Sequence, residues 1–224
     1  MNINNMAAPL SFHFPSENNR FLLPGPAGYL EVMTTQSKRS VNHQRVVVIG
    51  HPHPLYQGSM DNKVITMVAK AYDGMGFATV RFNFRGVGKS TGSYGEMIGE
   101  YEDLEAVVRW VDEELPWHEL WLAGFSFGSY ITARFADRHP EKVKYLLSVA
   151  PPVHHFDFAS LTQIRCPWVI LQGDQDEVVS LDLVQKFVEK STLPIRFVVV
   201  PKAGHFFHGQ LLVLQQVVET ELSR

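Results

Sequence analysis

Hydrophobic positions along this chain fall into short blocks separated by polar, glycine- or proline-containing stretches. Blocks rich in β-branched and aromatic residues occupy Leu10 to Phe14, Tyr29 to Thr34, Arg45 to Ile49, Ala78 to Phe82, Glu119 to Ala123, Tyr145 to Val149, Trp168 to Gln172 and Arg196 to Val200. Runs of this length and make-up predict strands, about eight in all. From the third onward they alternate with helical patterns. The clearest is Met97, Tyr101, Leu104, Val108, Val111 and Leu115, whose alternating spacing of four and three builds one apolar stripe. Helices are also predicted near Asn62 to Asp73, Phe127 to Arg138, Leu181 to Lys190 and Gln210 to Leu222.

Arg45 to Ile49 and Trp168 to Leu171 are apolar on successive residues, the mark of strands covered on both faces. Alternation of strand and helix then implies a mostly parallel sheet in an α/β fold. The first two strands lie too close for a helical crossover, with Pro24-Gly25-Pro26 and Gly28 between them, and should form an antiparallel edge. In such an open sheet ligands bind beyond the carboxyl ends of the strands, so the polar residues that follow each strand carry the functional signal.

Composition changes the picture little. The chain has 224 residues, 45% hydrophobic and 19% charged, which suits one folded domain over 1–224 that buries roughly 70% of its unfolded surface without help from disulfides or a metal. Cys166 is the lone cysteine, so no intrachain disulfide forms and a cytoplasmic setting is expected. With 20 basic and 23 acidic side chains and a net charge of -3, no long run of either sign is present to bind nucleic acid or an anionic membrane. No apolar run approaches the ~20 residues that span a bilayer. No Lys or Arg precedes Arg20, so the start does not read as a signal peptide.

The chemistry begins after Trp121-Leu122-Ala123, where Gly124-Phe125-Ser126-Phe127-Gly128 leads into a helical pattern. This is G-x-S-x-G in its strand-turn-helix setting, which pushes a serine hydroxyl out over the sheet and aims helix-start amides at the reacting centre. A serine hydroxyl needs a base, and the base an orienting acid. Asp176 follows one strand in Gly173-Asp174-Gln175-Asp176-Glu177-Val178-Val179, and His205 follows the next in Lys202-Ala203-Gly204-His205-Phe206. Asp174 and, further off, Asp157 compete for the acid, and His208 for the base.

With its Ser, Asp, His order, the chain from about Arg45 onward resembles the α/β-hydrolase superfamily. Gly50-His51-Pro52-His53-Pro54-Leu55-Tyr56-Gln57-Gly58 followed by Asp61-Asn62-Lys63 is similar to small bacterial serine hydrolases with an HPHP signature, related to dienelactone hydrolases. Arg81-Phe82-Asn83-Phe84-Arg85-Gly86-Val87-Gly88-Lys89-Ser90-Thr91-Gly92 resembles the family loop D-x-R-G-x-G-x-S-x-G, with Asn83 in place of the Asp. Dienelactone hydrolases use a cysteine nucleophile, whereas this elbow holds Ser126. The family pattern of an Asp before a short apolar pair favours Asp176 over Asp174, and Gly204-His205 matches the position of the family base. The resemblance implies an esterase acting on small to medium carboxylic esters through Ser126, His205 and Asp176, with thioesters or amides as alternatives and no cofactor or metal. It also implies an oxyanion hole built from the Phe127 N–H and a second N–H from the loop after Arg45 to Ile49. Pro52 and Pro54 have no N–H, which leaves His53 or Leu55, with Leu55 preferred.

Other readings are weaker. His51, His53 and the pair His154-His155 invite a metal, yet no acidic or cysteine partner stands at a recognised ligand spacing. Cys166, beside Pro167 and a buried strand, reads as a small core residue. Gly86-Val87-Gly88-Lys89-Ser90-Thr91 imitates the end of a P-loop, but the first glycine of that motif is replaced by Asn83 and no helix opens after Ser90. A non-catalytic binding protein on the same fold conflicts with an intact triad. Between Ala150-Pro151-Pro152 and Cys166-Pro167, the stretch Val153 to Arg165 has room for one short helix and not for a capping domain.

Overall fold

The computed structural model describes Phe14, Pro15, and residues 17–35 and 45–224. The strand expected over Leu10 to Phe14 falls, apart from Phe14, outside the described residues. Among these residues eight strands, β1 (Asn19–Gly25), β2 (Gly28–Thr35), β3 (Arg45–Gly50), β4 (Ala78–Phe82), β5 (Glu119–Phe125), β6 (Val143–Val149), β7 (Trp168–Gly173) and β8 (Ile195–Val200), form one sheet in the order β1-β2-β4-β3-β5-β6-β7-β8. β1 with β2 and β2 with β4 are antiparallel, and every other pair is parallel. Among the described residues five α-helices, α1 (Lys63–Gly74), α2 (Ile98–Glu114), α3 (Phe127–Arg138), α4 (Leu181–Lys190) and α5 (Leu211–Leu222), cover it.

The antiparallel edge differs from the expected one. Its outer strand is Asn19–Gly25, part of a stretch whose prolines and glycines predict a connector, and the hairpin turns at Pro26-Ala27 with Gly25 opposite Gly28. Pro24 lies inside β1, opposite Tyr29. A proline is tolerated there because β1 is the edge strand among the described residues, where a missing N–H leaves no partner unsatisfied.

The central strands feed two cores. In β3, Val46 and Val48 join the core under α2, α3 and α4, while Val47 and Ile49 join the one under α1 and α5. β7 divides its residues in the same way, Trp168 and Ile170 against Val169 and Leu171. Each fully buried aliphatic side chain contributes roughly 1.5–3 kcal/mol, so strands apolar on both faces take the middle of the sheet. β6 passes to its parallel neighbour β7 through a single 3-10 turn, Phe158–Ser160, in place of a full helix. No cap domain is inserted there. No helix among the described residues is long and apolar enough to cross a membrane.

Candidate functional site

Ser126 stands between β5 and α3 with φ 51° and ψ −122°, a left-handed conformation rarely adopted by residues with a side chain. The turn is possible because its neighbours have no side chains. A Cβ on Gly124 would run into the Gly128 backbone, and one on Gly128 into the carbonyls of Gly50 and His51. Ser126 N–H closes the elbow on Val149 O at 2.9 Å. Serine is a common helix cap, but here the hydroxyl does not cap α3 and meets His205 Nε2 at 3.2 Å.

His205 is 3% exposed, and its Nδ1 lies 2.9 Å from Asp176 Oδ2. The loops carrying the two residues are laced together: Asp174 N–H donates to Val200 O, Gln175 N–H to Ala203 O, and Lys202 N–H to the Asp174 carboxylate at 2.6 Å. Asp174 is thus an exposed staple between loops, and Asp176 turns inward. The Asp176 carboxylate accepts from the N–H groups of Val178 and Val179 at 2.9 and 2.7 Å, and from Gln172 Nε2 at 2.9 Å. Burial pushes its pKa up, but the contact with His205 and the two amides outweighs it and holds the carboxyl below its usual range. The competitors lie apart: His208 is exposed, with its ring against Phe206, and Asp157 accepts the Ser160 N–H at the 3-10 turn.

The loop after β3 folds down onto the elbow. His51 is fully buried and bridges two loops, with Nδ1 2.6 Å from Pro52 O and Nε2 accepting the Phe84 N–H at 3.0 Å. Burial lowers its pKa to about 4, so it is a neutral clip. Leu55 N–H is donated back to His53 Nδ1 at 3.2 Å. It is therefore engaged inside its own loop, while the N–H groups of His53 and Phe127 have no hydrogen-bond partner among the described residues. Of the two candidate second donors, the loop's own bonding leaves the His53 N–H free and occupies that of Leu55, the one preferred from the sequence. The His53 and Phe127 rings pack at 4.8 Å, which sets the two amides on adjoining segments beside Ser126. An amide at the start of a helix, as that of Phe127 is in α3, is suited to stabilising negative charge.

Asn83 anchors the same region. Its side-chain oxygen accepts the Met60 N–H and its Nδ2 donates to Glu31 Oε2, both at 2.8 Å. Glu31 also accepts from Arg20 Nε and from the Lys89 N–H, each at 2.9 Å. Ser90 Oγ donates to Asn83 O. The Gly86 to Thr91 segment is thus a turn tied to β2 and opens no helix, so its likeness to a P-loop is one of sequence only. The histidine pair His154-His155 lies exposed after β6, and no group of three or more His, Cys, Asp or Glu among the described residues is arranged to hold a metal ion. Cys166 is buried, and burial pushes its thiol up to about 11.

Comparison with known proteins adds a lineage. Residues 57–165 match the model of the alpha/beta hydrolase fold. An alpha-beta serine hydrolase homologue from Coxiella burnetii is 51% identical with a TM-score of 0.88, over 93% of this chain and 99% of that one. A lidless a/b serine hydrolase from Xanthomonas campestris is 37% identical with a TM-score of 0.89, over 95% and 96%. An uncharacterized protein of Rickettsia prowazekii is 36% identical over 82% of this chain and 79% of its own length.

Proposed function

Because the chain belongs to the lidless alpha/beta serine hydrolases, we propose that it cleaves small to medium carboxylic esters through an acyl-enzyme on Ser126. The observation that carries this reading is the continuous relay from Ser126 Oγ to His205 Nε2 at 3.2 Å and from His205 Nδ1 to Asp176 Oδ2 at 2.9 Å. Ser126 attacks the ester carbonyl while His205 Nε2 takes its proton. Asp176 keeps the other proton of the ring on Nδ1 and stabilises the imidazolium that forms. The carbonyl oxygen, now negative, is held by the N–H groups of Phe127 and His53. His205 then delivers its proton to the leaving alcohol. A water activated by the same histidine attacks the acyl-enzyme, releases the acid and restores Ser126.

The substrate is a small molecule from solution, and neither nucleic acid nor a membrane is a partner in this reading. A cytoplasmic setting suits the buried, unpaired Cys166. Purified protein treated with a fluorophosphonate probe should be labelled at Ser126 alone, and the Ser126→Ala variant not at all. Esters, thioesters and amides of one matched acyl group, assayed side by side, should show esters turned over fastest. Unlabelled wild type, or labelling that survives Ser126→Ala, would refute the mechanism; faster thioester or amide cleavage would keep the relay and change the bond.

A further inference from the structure

A chain of aromatic rings that the hydrolytic steps do not use runs out from Phe127, the residue after Ser126. The His53 ring packs against Tyr56 at 4.9 Å, Tyr94 at 5.0 Å and Phe127 at 4.8 Å. Phe127 in turn meets Phe156 at 5.5 Å, and Phe156 stacks on Tyr130 at 5.1 Å. Tyr56 is 81% exposed, and Tyr94 is half-buried. A large aromatic left this open, joined through His53 to the neighbour of Ser126, has no core to fill.

Both tyrosines are held in place by their own segments. Tyr56 ends the 3-10 turn Pro54–Tyr56, with its N–H on His53 O at 3.0 Å. Tyr94 precedes Gly95, whose N–H, with that of Met97, is taken by the Glu100 carboxylate at 2.8 and 2.9 Å. Backbone segments fixed in advance, with both rings already against His53, cost less further ordering when a ligand lands on them.

Which part of the substrate they meet follows from the tetrahedral carbon formed on Ser126 Oγ. One substituent is the oxyanion, directed at the Phe127 and His53 amides. Another is the leaving oxygen, which must lie within reach of His205 Nε2, on the side where Phe125 and Phe206 flank the imidazole at 5.1 Å each. The remaining substituent, the acyl group, is left the side away from the imidazole, where the rings packed on His53 are those of Tyr94 and Tyr56. We propose that these two tyrosines, with His53, form a π-faced acyl subsite that selects esters whose acyl group carries an aromatic ring near the carbonyl. The inference rests on the ester-hydrolase reading above and adds the substrate class. A flat aryl group gains offset or edge-to-face contacts with such walls beyond the area it buries, whereas a saturated ring of equal carbon number gains the area alone. A quaternary ammonium group is the other natural guest of aromatic walls.

The test compares p-nitrophenyl phenylacetate with p-nitrophenyl cyclohexylacetate, and the 3-phenylpropionate with the 3-cyclohexylpropionate. The methylene spacer keeps the ring out of conjugation with the carbonyl, and dividing by the uncatalysed hydrolysis rate of each ester removes the inductive difference that remains. Wild type should favour the aryl member by about three- to tenfold in kcat/KM. Tyr56→Leu and Tyr94→Leu should each move the ratio towards one, and Tyr56→Phe and Tyr94→Phe should preserve it. Should a leucine variant fail to fold, inhibition of wild type by phenylacetate against cyclohexylacetate reads the same preference. A wild-type ratio near one, or a higher rate for a trimethylammonium-bearing acyl ester, overturns the aryl subsite while leaving the hydrolase intact. Turnover of none of the esters by protein that the fluorophosphonate also leaves unlabelled would remove both.

Discussion

Asn83 Nδ2 donates to Glu31 Oε2 at 2.8 Å, a bond that a carboxylate at position 83 has no hydrogen to make at neutral pH. The amide is needed in both halves, since its oxygen also accepts the Met60 N–H. Asn83→Asp should therefore destabilise the fold by about 1–3 kcal/mol, because two buried carboxylates are forced into contact. Glu31→Gln in the same chain should recover part of that loss. Urea unfolding of the two single variants and the double variant reads the coupling; an additive pair would show that the contact is incidental.

Asp176 and Asp174 share one loop and divide its tasks. Asp176→Asn should lower kcat by about 10⁴, since the histidine loses the partner that fixes its tautomer. Asp174→Asn, which loosens an exposed staple to Lys202, should stay within tenfold of wild type. Steady-state kinetics on both, with circular dichroism to check folding, decides the assignment, and a reversed ranking moves the acid to Asp174.

His51 ties folding to pH. Its pKa falls to about 4 in the folded protein, against roughly 6.5 in an unfolded chain. Between these values the unfolded state binds the proton and the folded state does not, so stability drops as pH falls from about 6.5 to about 4. His51 alone accounts for about 3 kcal/mol of that slope. His53 and His154, both lowered chiefly by burial, add to it. Asp176, with its depressed carboxyl, is stabilising above its ordinary range and loses that contribution only at still lower pH. Denaturant unfolding at a series of pH values should give a shallower profile for His51→Gln in this window, and an unchanged slope would count against the neutral clip.

Glycines at the elbow and elsewhere should respond differently to a methyl group. Gly128→Ala drives a Cβ into the Gly50 and His51 carbonyls and should cost about 1–3 kcal/mol or more, displacing the oxyanion loop and most of the activity with it. At Gly74, near the end of α1, the new Cβ meets only the Glu219 carboxylate at 3.7 Å, so Gly74→Ala should be neutral or stabilising by up to about 1 kcal/mol. Thermal melts and ester turnover of both variants provide the comparison.

The order of residues along the chain carries most of this architecture. Val46 to Ile49 and Trp168 to Leu171 are apolar at every position because each serves two cores, and that doubling is legible in the residue order alone. The strand Asn19–Gly25 is masked by Pro24-Gly25-Pro26, which signals a turn unless the strand is known to have an open edge. Ser126, Asp176 and His205 stand out in the sequence because each follows a strand within a few residues. The choice between His53 and Leu55 does not, since it turns on an imidazole nitrogen folding back to take the Leu55 N–H. The partnership of Asn83 with Glu31 is equally out of reach, because it joins segments 52 residues apart in the chain.

Ser126 stands at φ 51° and ψ −122°, the mirror image of an ordinary extended conformation, and glycine enters that region without penalty. A side chain held there costs of order 1–3 kcal/mol. The backbone is therefore better suited to Ser126→Gly than to the residue that nature placed in it. A library selected for heat resistance alone should drift towards glycine at this position and discard the hydroxyl, so any programme to harden this protein has to screen for turnover at every round.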